Sequence, residues 1–150
     1  EYKNSDKYLR DMQFWQKYVG DISYENQFEI VKDKQCKRIR KNINTSTVAQ
    51  IQEFCEKNKI SEFAFYLSII SIYFSKIFDT ENIVIGTPFL NRQKSQKELD
   101  IMGMFVSTLP ISINITNGLG FIDLCRQITT TNLACFKHSK FPYSHIKLVI

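Results

Sequence analysis

Two histidines are the first candidates for chemistry in this chain. They stand at 138 and 145 with Pro142 between them, and a proline breaks any helical face the two imidazoles could share. A general base also needs a second group to orient it, and no acidic residue lies near either histidine in sequence. Each therefore reads as a capping or solvated residue. Glu98 and Asp100 come closest to a paired carboxylate, but they sit in a run of Gln, Lys and Glu and read as solvated charge. The cysteines at 36, 55, 125 and 135 include no CxxC pair, which argues against a structural zinc site. Cys55 and Cys125 lie among apolar neighbours, where a thiol behaves as a small hydrophobe. No glycine-rich phosphate loop, HExxH or nucleophile elbow occurs in the 150 residues. Side-chain chemistry alone describes an α/β domain and names no reaction.

The bulk properties narrow the class. A 43% hydrophobic and 13% aromatic composition is that of a folded domain, and 150 residues suit one core. Much of the net charge of +5 comes from Lys32, Lys34, Lys37, Arg38, Arg40 and Lys41. Glu29 and Asp33 interrupt that run and no aromatic side chain interleaves as a stacking platform, so it reads as solvated surface, with no nucleic acid as partner. The chain opens on Glu and not Met, so it is expected to be a piece of a longer protein. It shows no secretory signal, and reduced thiols in a cytoplasmic protein are expected.

Periodicity supplies the elements that would position a site. Tyr8, Met12, Trp15 and Val19 recur at helical spacing over 5–19, with Gly20 as the stop. Residues 28–43 mix β-branched, aromatic and charged side chains and predict one or two exposed strands. Thr47 and Gln50 fit a capping box opening a helix over 47–57. Ser61 is the next N-cap, with Ile60 and Phe65 placed as a staple, and the helix it opens runs to 78. That helix is apolar on every side; its uncharged stretch between Glu62 and Lys76 carries three serines and falls short of the roughly 18 residues of a membrane span, so it reads as a central core helix and not a membrane partner. A short apolar run over 82–89 predicts a strand. Beyond a polar loop over 91–100, Phe105, Leu109, Ile111, Ile113 and Ile115 point to one side of a second strand. Pro110 there predicts an edge or a bulge. Asn117, Gly118 and Gly120 form the turn into a helix that turns Phe121, Leu124, Cys125 and Ile128 inward and stops at Pro142; a last helix is expected over 143–150. The two strands could pair directly or be separated by others. The order predicts an α/β layer fold, one sheet with helices packed on it.

Three stretches resemble the core motifs of nonribosomal peptide synthetase condensation domains. Ile83-Val84-Ile85-Gly86-Thr87-Pro88-Phe89-Leu90-Asn91-Arg92 is similar to the family's "IVIGTPxxNR" strand. Gly103-Met104-Phe105-Val106-Ser107-Thr108-Leu109-Pro110 is similar to its "GMFVNTLP" motif, with Ser107 in place of Asn. His138-Ser139-Lys140-Phe141-Pro142-Tyr143 resembles "HQxYPFE", with Ser139 in place of Gln, Lys140 in place of an acidic residue and Ser144 in place of Glu. The 8–15 segment is similar to the family's "KDxxFW" helix. Order and gaps match over nearly the whole chain. Related epimerization domains differ at the GMFVNT strand, so the resemblance favours condensation.

The resemblance implies a chloramphenicol acetyltransferase-like sandwich, of which this chain is the C-terminal half, ending before the last motif. It implies peptide-bond formation between substrates held as thioesters on the phosphopantetheine of carrier proteins, with no cofactor bound by this chain itself. The family's HHxxxDG motif does not occur here, so the resemblance implies no catalytic residue in this segment and an inactive isolated fragment. Gly86, Thr87, Pro88, Asn91, Arg92, Gly103, Phe105, Val106, Ser107 and Thr108 become candidates for the wall and floor of the substrate tunnel. Gly103 is expected to permit close backbone approach, and only one of the adjacent Ser107 and Thr108 can face the tunnel. Implied partners are the N-terminal half of the same domain and peptidyl carrier proteins, with self-association of the fragment through uncovered apolar surface. The alternative is a non-catalytic scaffold that docks carrier or neighbouring domains.

Overall fold

In a computed structural model of the chain, the described residues are 2–22, 38–91, 100 and 102–146. Helix α1 (Asp6–Gly20) starts where Ser5 accepts the Tyr8 N–H, and it turns Trp15 and Val19 into the core. Helix α2 (Thr45–Asn58) opens earlier than the capping box predicts, because the Asn44 Oδ1 accepts the Thr47 N–H at 2.8 Å. Asn44, Thr45, Ser46 and Thr47 are all cap-forming types, and Asn44 takes the role. Ser61 caps helix α3 (Glu62–Phe78) as expected, accepting the Ala64 N–H at 3.1 Å. The strands predicted over 28–43 fall mostly outside the described residues; the described part, 38–43, is irregular and exposed.

Strands β1 (Asn82–Leu90) and β2 (Val106–Asn114) pair directly and antiparallel, from Asn82 opposite Asn114 to Leu90 opposite Val106. The ladder continues past both ends: the Asn91 N–H donates to the Phe105 carbonyl at 3.0 Å and the Ile115 N–H to the Glu81 carbonyl at 2.7 Å. Odd-numbered residues therefore exchange the ladder bonds, and the N–H groups of even-numbered residues point outward. The Ser112 N–H obeys this parity and donates to the Tyr18 hydroxyl at 2.8 Å. Pro88 and Pro110 are both even-numbered, so the donor each lacks is one the ladder never uses. That is the edge placement predicted for Pro110.

Helix α4 (Phe121–Lys137) follows a turn in which Gly118 holds φ +85°, a conformation that favours glycine. It ends well before Pro142, contrary to the sequence expectation. The His138 and Ser139 N–H groups fold back to the Cys135 and Phe136 carbonyls and close the helix, while the Pro142 carbonyl accepts the His145 and Ile146 N–H groups and opens the short helix α5 (Tyr143–Ile146). One core joins Trp15, Leu67, Leu109, Ile111, Ile113, Leu124, Ile128, Phe141 and Ile146 between the helices and one face of the ribbon. Cys55, Cys125 and Cys135 are buried in it as free thiols. Burial pushes the Cys135 thiol up to about 11.

Helix α3 departs from the sequence reading. It buries Ala64, Leu67, Ser68 and Ser71, while Phe63, Ile69, Ile70, Tyr73 and Ile77 are exposed. The stripe of small residues admits α4, and the hydroxyls of Ser68 and Ser71 are satisfied by the Ala64 and Leu67 carbonyls at 2.7 and 2.6 Å. It is a flanking helix with one uncovered apolar face. No single helix among the described residues is long and apolar enough to cross a membrane.

Candidate functional site

The pleat assigns each strand candidate to one face. Ile83, Ile85, Thr87 and Phe89 oppose Ile113, Ile111, Leu109 and Ser107 on the face that packs against the helices. Val84, Gly86, Pro88 and Leu90 oppose Ser112, Pro110, Thr108 and Val106 on the open face. Of the two adjacent hydroxyl residues, Thr108 faces outward and Ser107 inward. The open face runs out at the Leu90–Val106 pair, both half exposed, near the almost fully exposed Met102 and Met104.

Beside the open face lies a cavity of about 220 Å³, lined by Val84, Gly86, Thr108 and Pro110 of the ribbon and by Val19, Ile22 and Tyr143. Two of the ten sequence candidates, Gly86 and Thr108, line it directly. Gly86 is the glycine that close packing requires: a Cβ there would meet the Thr108 Cγ2 at 3.1 Å. Gly103 is not, since a Cβ at that position would meet only the Phe105 ring at an ordinary 3.6 Å. Pro88 and Val106 are exposed on the open face outside the cavity lining, and Phe105 is half buried ahead of β2. Thr87 is buried on the packed face, and its hydroxyl oxygen has no hydrogen-bond partner among the described residues. Arg92 lies outside the described residues. A second cavity, about 380 Å³, opens between the end of α3 and the start of α4 and contains none of the candidates.

The quoted stretches meet in space. The first two are the two strands of the ribbon. The Asn91 Nδ2 then donates to the Ser107 Oγ at 3.2 Å and to the Ser139 carbonyl at 2.8 Å, tying both strands to the third stretch. Asn91 and Ser107 thus act in positioning on the packed side of the ribbon, where the buried Asn91 Oδ1 has no hydrogen-bond partner among the described residues.

A polar cluster that the sequence did not disclose holds α1 to the segment after α4. Asp11, 1% exposed, accepts from the Tyr2 hydroxyl at 2.6 Å, the Lys7 Nζ at 3.0 Å and the His138 Nδ1 at 2.7 Å. Burial raises the Asp11 pKa, but hydrogen bonds from Tyr2, Lys7 and His138 and the Lys7 charge outweigh it and hold the carboxyl below its usual range. The same contact, with burial, raises the Tyr2 phenol. The His138 ring stacks on Phe14 with centroids 4.1 Å apart, and the His138 carbonyl accepts the Trp15 indole N–H at 3.0 Å. His145 is held by the Tyr8 hydroxyl at 3.0 Å. An orienting carboxylate for His138 does exist, 127 residues away. The imidazole is stacked and bonded within the packing, however, and lines neither cavity. The cluster is a structural clamp. Among the described residues, no group of three or more His, Cys, Asp or Glu side chains is placed to hold a metal.

The described residues thus form a small antiparallel ribbon backed by helices on one face and open on the other. The Condensation domain family model matches residues 1–148, and the chain belongs to that family. Surfactin synthase subunit 1 of Bacillus subtilis (strain 168) is 29% identical over 148 residues, which is 96% of this chain and 4% of that protein. A plipastatin synthase of the same organism is 30% identical over 149 residues, 96% of this chain and 6% of that protein. The chain thus spans a small part of these relatives. Among solved structures, the first condensation domain of the calcium-dependent antibiotic synthetase in complex with substrate analogue 3a superposes with a TM-score of 0.80 at 15% identity, over 99% of this chain and 33% of that one. SgcC5 from Streptomyces globisporus gives 0.80 at 17% identity, over 99% of this chain and 34% of that one. These likenesses bear out the chloramphenicol acetyltransferase-like fold.

Proposed function

We propose that this chain is the C-terminal portion of a peptide-bond-forming condensation domain, and that the open face of its ribbon is one wall of the passage along which carrier-tethered thioesters meet. The observation that carries the reading is the cavity on that face, floored by Gly86 of one family motif and flanked by Thr108 and Pro110 of the other, the two motifs pairing as adjacent strands. A wall of this kind binds and excludes water; it does not move a proton. The base that accepts the proton of the attacking amine belongs to polypeptide outside these 150 residues, because the HHxxxDG motif is absent from the sequence. Substrates arrive on the phosphopantetheine of carrier proteins, and the chain itself holds no cofactor. Its partners are the remaining part of the same domain and those carriers. The presence of a substrate analogue in the related antibiotic synthetase domain supports the reading.

The test is peptide-bond formation by the longer protein bearing this segment, with carrier-loaded donor and acceptor. Filling the cavity with Gly86→Leu is expected to lower the rate at least about tenfold, the scale on which misplacement in a reaction channel acts. The exposed Lys57→Ala serves as the control and leaves the rate unchanged. A folded Gly86→Leu protein at full rate refutes the proposal. The isolated chain is expected to give no product, and turnover by it alone would also refute the reading.

A further inference from the structure

His138 and Ser139 open the third quoted stretch and form a joint between α1, β1, α4 and the segment leading to α5. Their N–H groups close α4 on the Cys135 and Phe136 carbonyls. The His138 carbonyl accepts the Trp15 indole N–H at 3.0 Å and its Nδ1 donates to Asp11 at 2.7 Å, so His138 holds α1 with backbone and side chain alike. The Ser139 carbonyl accepts the Asn91 Nδ2 at 2.8 Å and so holds the end of β1. Asp11, Trp15 and Ser139 are buried, and every one of these bonds is made within this chain.

The joint carries the side of the smaller cavity that the ribbon does not supply. Three of its lining residues lie off the ribbon: Val19 and Ile22 at the end of α1, and Tyr143 at the start of α5. Tyr143 follows Ser139 by four residues, and Pro142, with its ring-fixed φ, leads directly into it. The position of Tyr143 against Gly86 and Thr108 is thus set where His138 grips α1 and Ser139 grips β1. A side chain is held closely only when its supports are themselves locked by packing and hydrogen bonds. The stack of His138 on Phe14, with centroids 4.1 Å apart, and its bond to Asp11 provide that lock.

The lining also limits what can enter. No charged side chain among the described residues lines this cavity, and five of its seven lining residues are Val, Ile, Gly or Pro, so it suits a neutral apolar group. At about 220 Å³ it is smaller than the roughly 300 Å³ at which pockets for whole ligands begin, which leaves room for one side chain. Tyr143 is the largest residue of the lining, and its ring decides how large that side chain can be.

We propose that Tyr143 is the size-selecting residue of the passage and that His138 is its positioning residue. The inference rests on the substrate-passage reading and adds the class of group admitted, a neutral apolar aminoacyl side chain.

The test is a competition in the longer protein bearing this segment. Carrier-bound alanine and phenylalanine are offered together, first as donors and then as acceptors, and the product ratio is read. A ratio is unaffected by the fraction of enzyme folded, which is all that a merely structural role would change. Tyr143→Ala should shift the ratio toward phenylalanine at least about tenfold in one of the two series, the scale on which pocket size discriminates apolar side chains. His138→Phe keeps a ring on Phe14 but removes the donor to Asp11; it displaces the wall without deleting it and should shift the ratio the same way by roughly threefold. His138→Asn sets its Nδ2 where the imidazole carries Nδ1 and should stay within about twofold of the wild type. Circular dichroism on each variant confirms the fold. A ratio that ignores Tyr143→Ala in both series overturns the proposal. So does a ratio that responds to Tyr143→Ala but not to His138→Phe, or that His138→Asn shifts as far as His138→Phe does. Gly86→Leu at full rate removes the passage and this inference with it, whereas a slowed Gly86→Leu beside an unmoved Tyr143→Ala ratio overturns this inference alone.

Discussion

Replacing Asp11 with Asn removes one charge and almost no volume, and it isolates the clamp between α1 and the segment after α4. The carboxylate takes hydrogen bonds from the Tyr2 hydroxyl at 2.6 Å, the Lys7 Nζ at 3.0 Å and the His138 Nδ1 at 2.7 Å. Lys7 is 41% exposed, so water screens its share to about 0.5 kcal/mol. The bonds from Tyr2 and His138 end on a buried charge and contribute about 1.5 kcal/mol each. Asparagine keeps one acceptor, and its N–H₂ can donate to the Tyr2 hydroxyl or to a neutral His138 Nδ1, so part of the loss is recovered. The expected loss is roughly 3 kcal/mol at neutral pH, a large part of the 5–15 kcal/mol typical of a domain. In a chain of this length that lowers the melting temperature by roughly 6–12 °C.

The pH dependence gives the sharper measurement. The folded Asp11 pKa lies below that of the unfolded chain. Its contribution is therefore complete above the ordinary aspartate pKa of about 4, and it is lost as pH falls through the lower folded value. Urea unfolding of the wild type and of Asp11→Asn should show two midpoints well apart at neutral pH that converge in acid as the wild-type carboxyl protonates. A gap under about 0.5 kcal/mol at neutral pH, the scale of an ordinary surface substitution, would refute the argument. So would a gap of constant size down the whole acid limb, because that would trace the loss to packing and not to charge.

Gly86→Ala places a Cβ 3.1 Å from the Thr108 Cγ2 and should cost about 1 kcal/mol in urea unfolding; Thr108→Ser removes that methyl and should recover most of the loss in the double variant. Tyr18→Phe removes the acceptor of the outward-pointing Ser112 N–H and should destabilise by about 1–2 kcal/mol, with faster amide exchange at Ser112 as the local readout.

Most elements were legible because their signals are local. Ser61 before an apolar run, the alternation of Leu109, Ile111 and Ile113, and the turn before α4 each fix an element within a few residues. What stayed hidden depends on phase or on distance along the chain. A helix apolar on all sides carries no phase, and the inward face of α3 is set by Ala64, Ser68 and Ser71, whose small size matters only once α4 is beside them. Asn44 competes with three cap-forming neighbours, and only backbone geometry chooses among them. Asp11 and His138 are separated by almost the whole chain, so periodicity cannot join them. At Pro142 a correct local rule met the wrong element: α4 is closed by turns at His138 and Ser139, which leaves the proline free to open α5.

The candidate site shows the same division between local pattern and spatial pairing. The two strand motifs are each recognisable alone, but neither says which side chains share a face. The register supplies that: Gly86 opposite Pro110 and Pro88 opposite Thr108 gather on one side the small or donor-poor residues of both strands. The same parity turns the nitrogens of both prolines away from the ladder, so the open face gains rigidity with no loss of strand pairing. Ser107 and Asn91, which on polarity alone would be placed in the passage, are consumed in holding the end of the ribbon to Ser139. Thr108 is left as the hydroxyl of these motifs that lines the cavity. On the proposed reading, it is therefore the ribbon side chain through which the open face would offer a hydrogen bond to the carbonyl of a bound acyl group, and Gly86 is the position whose enlargement would close that approach.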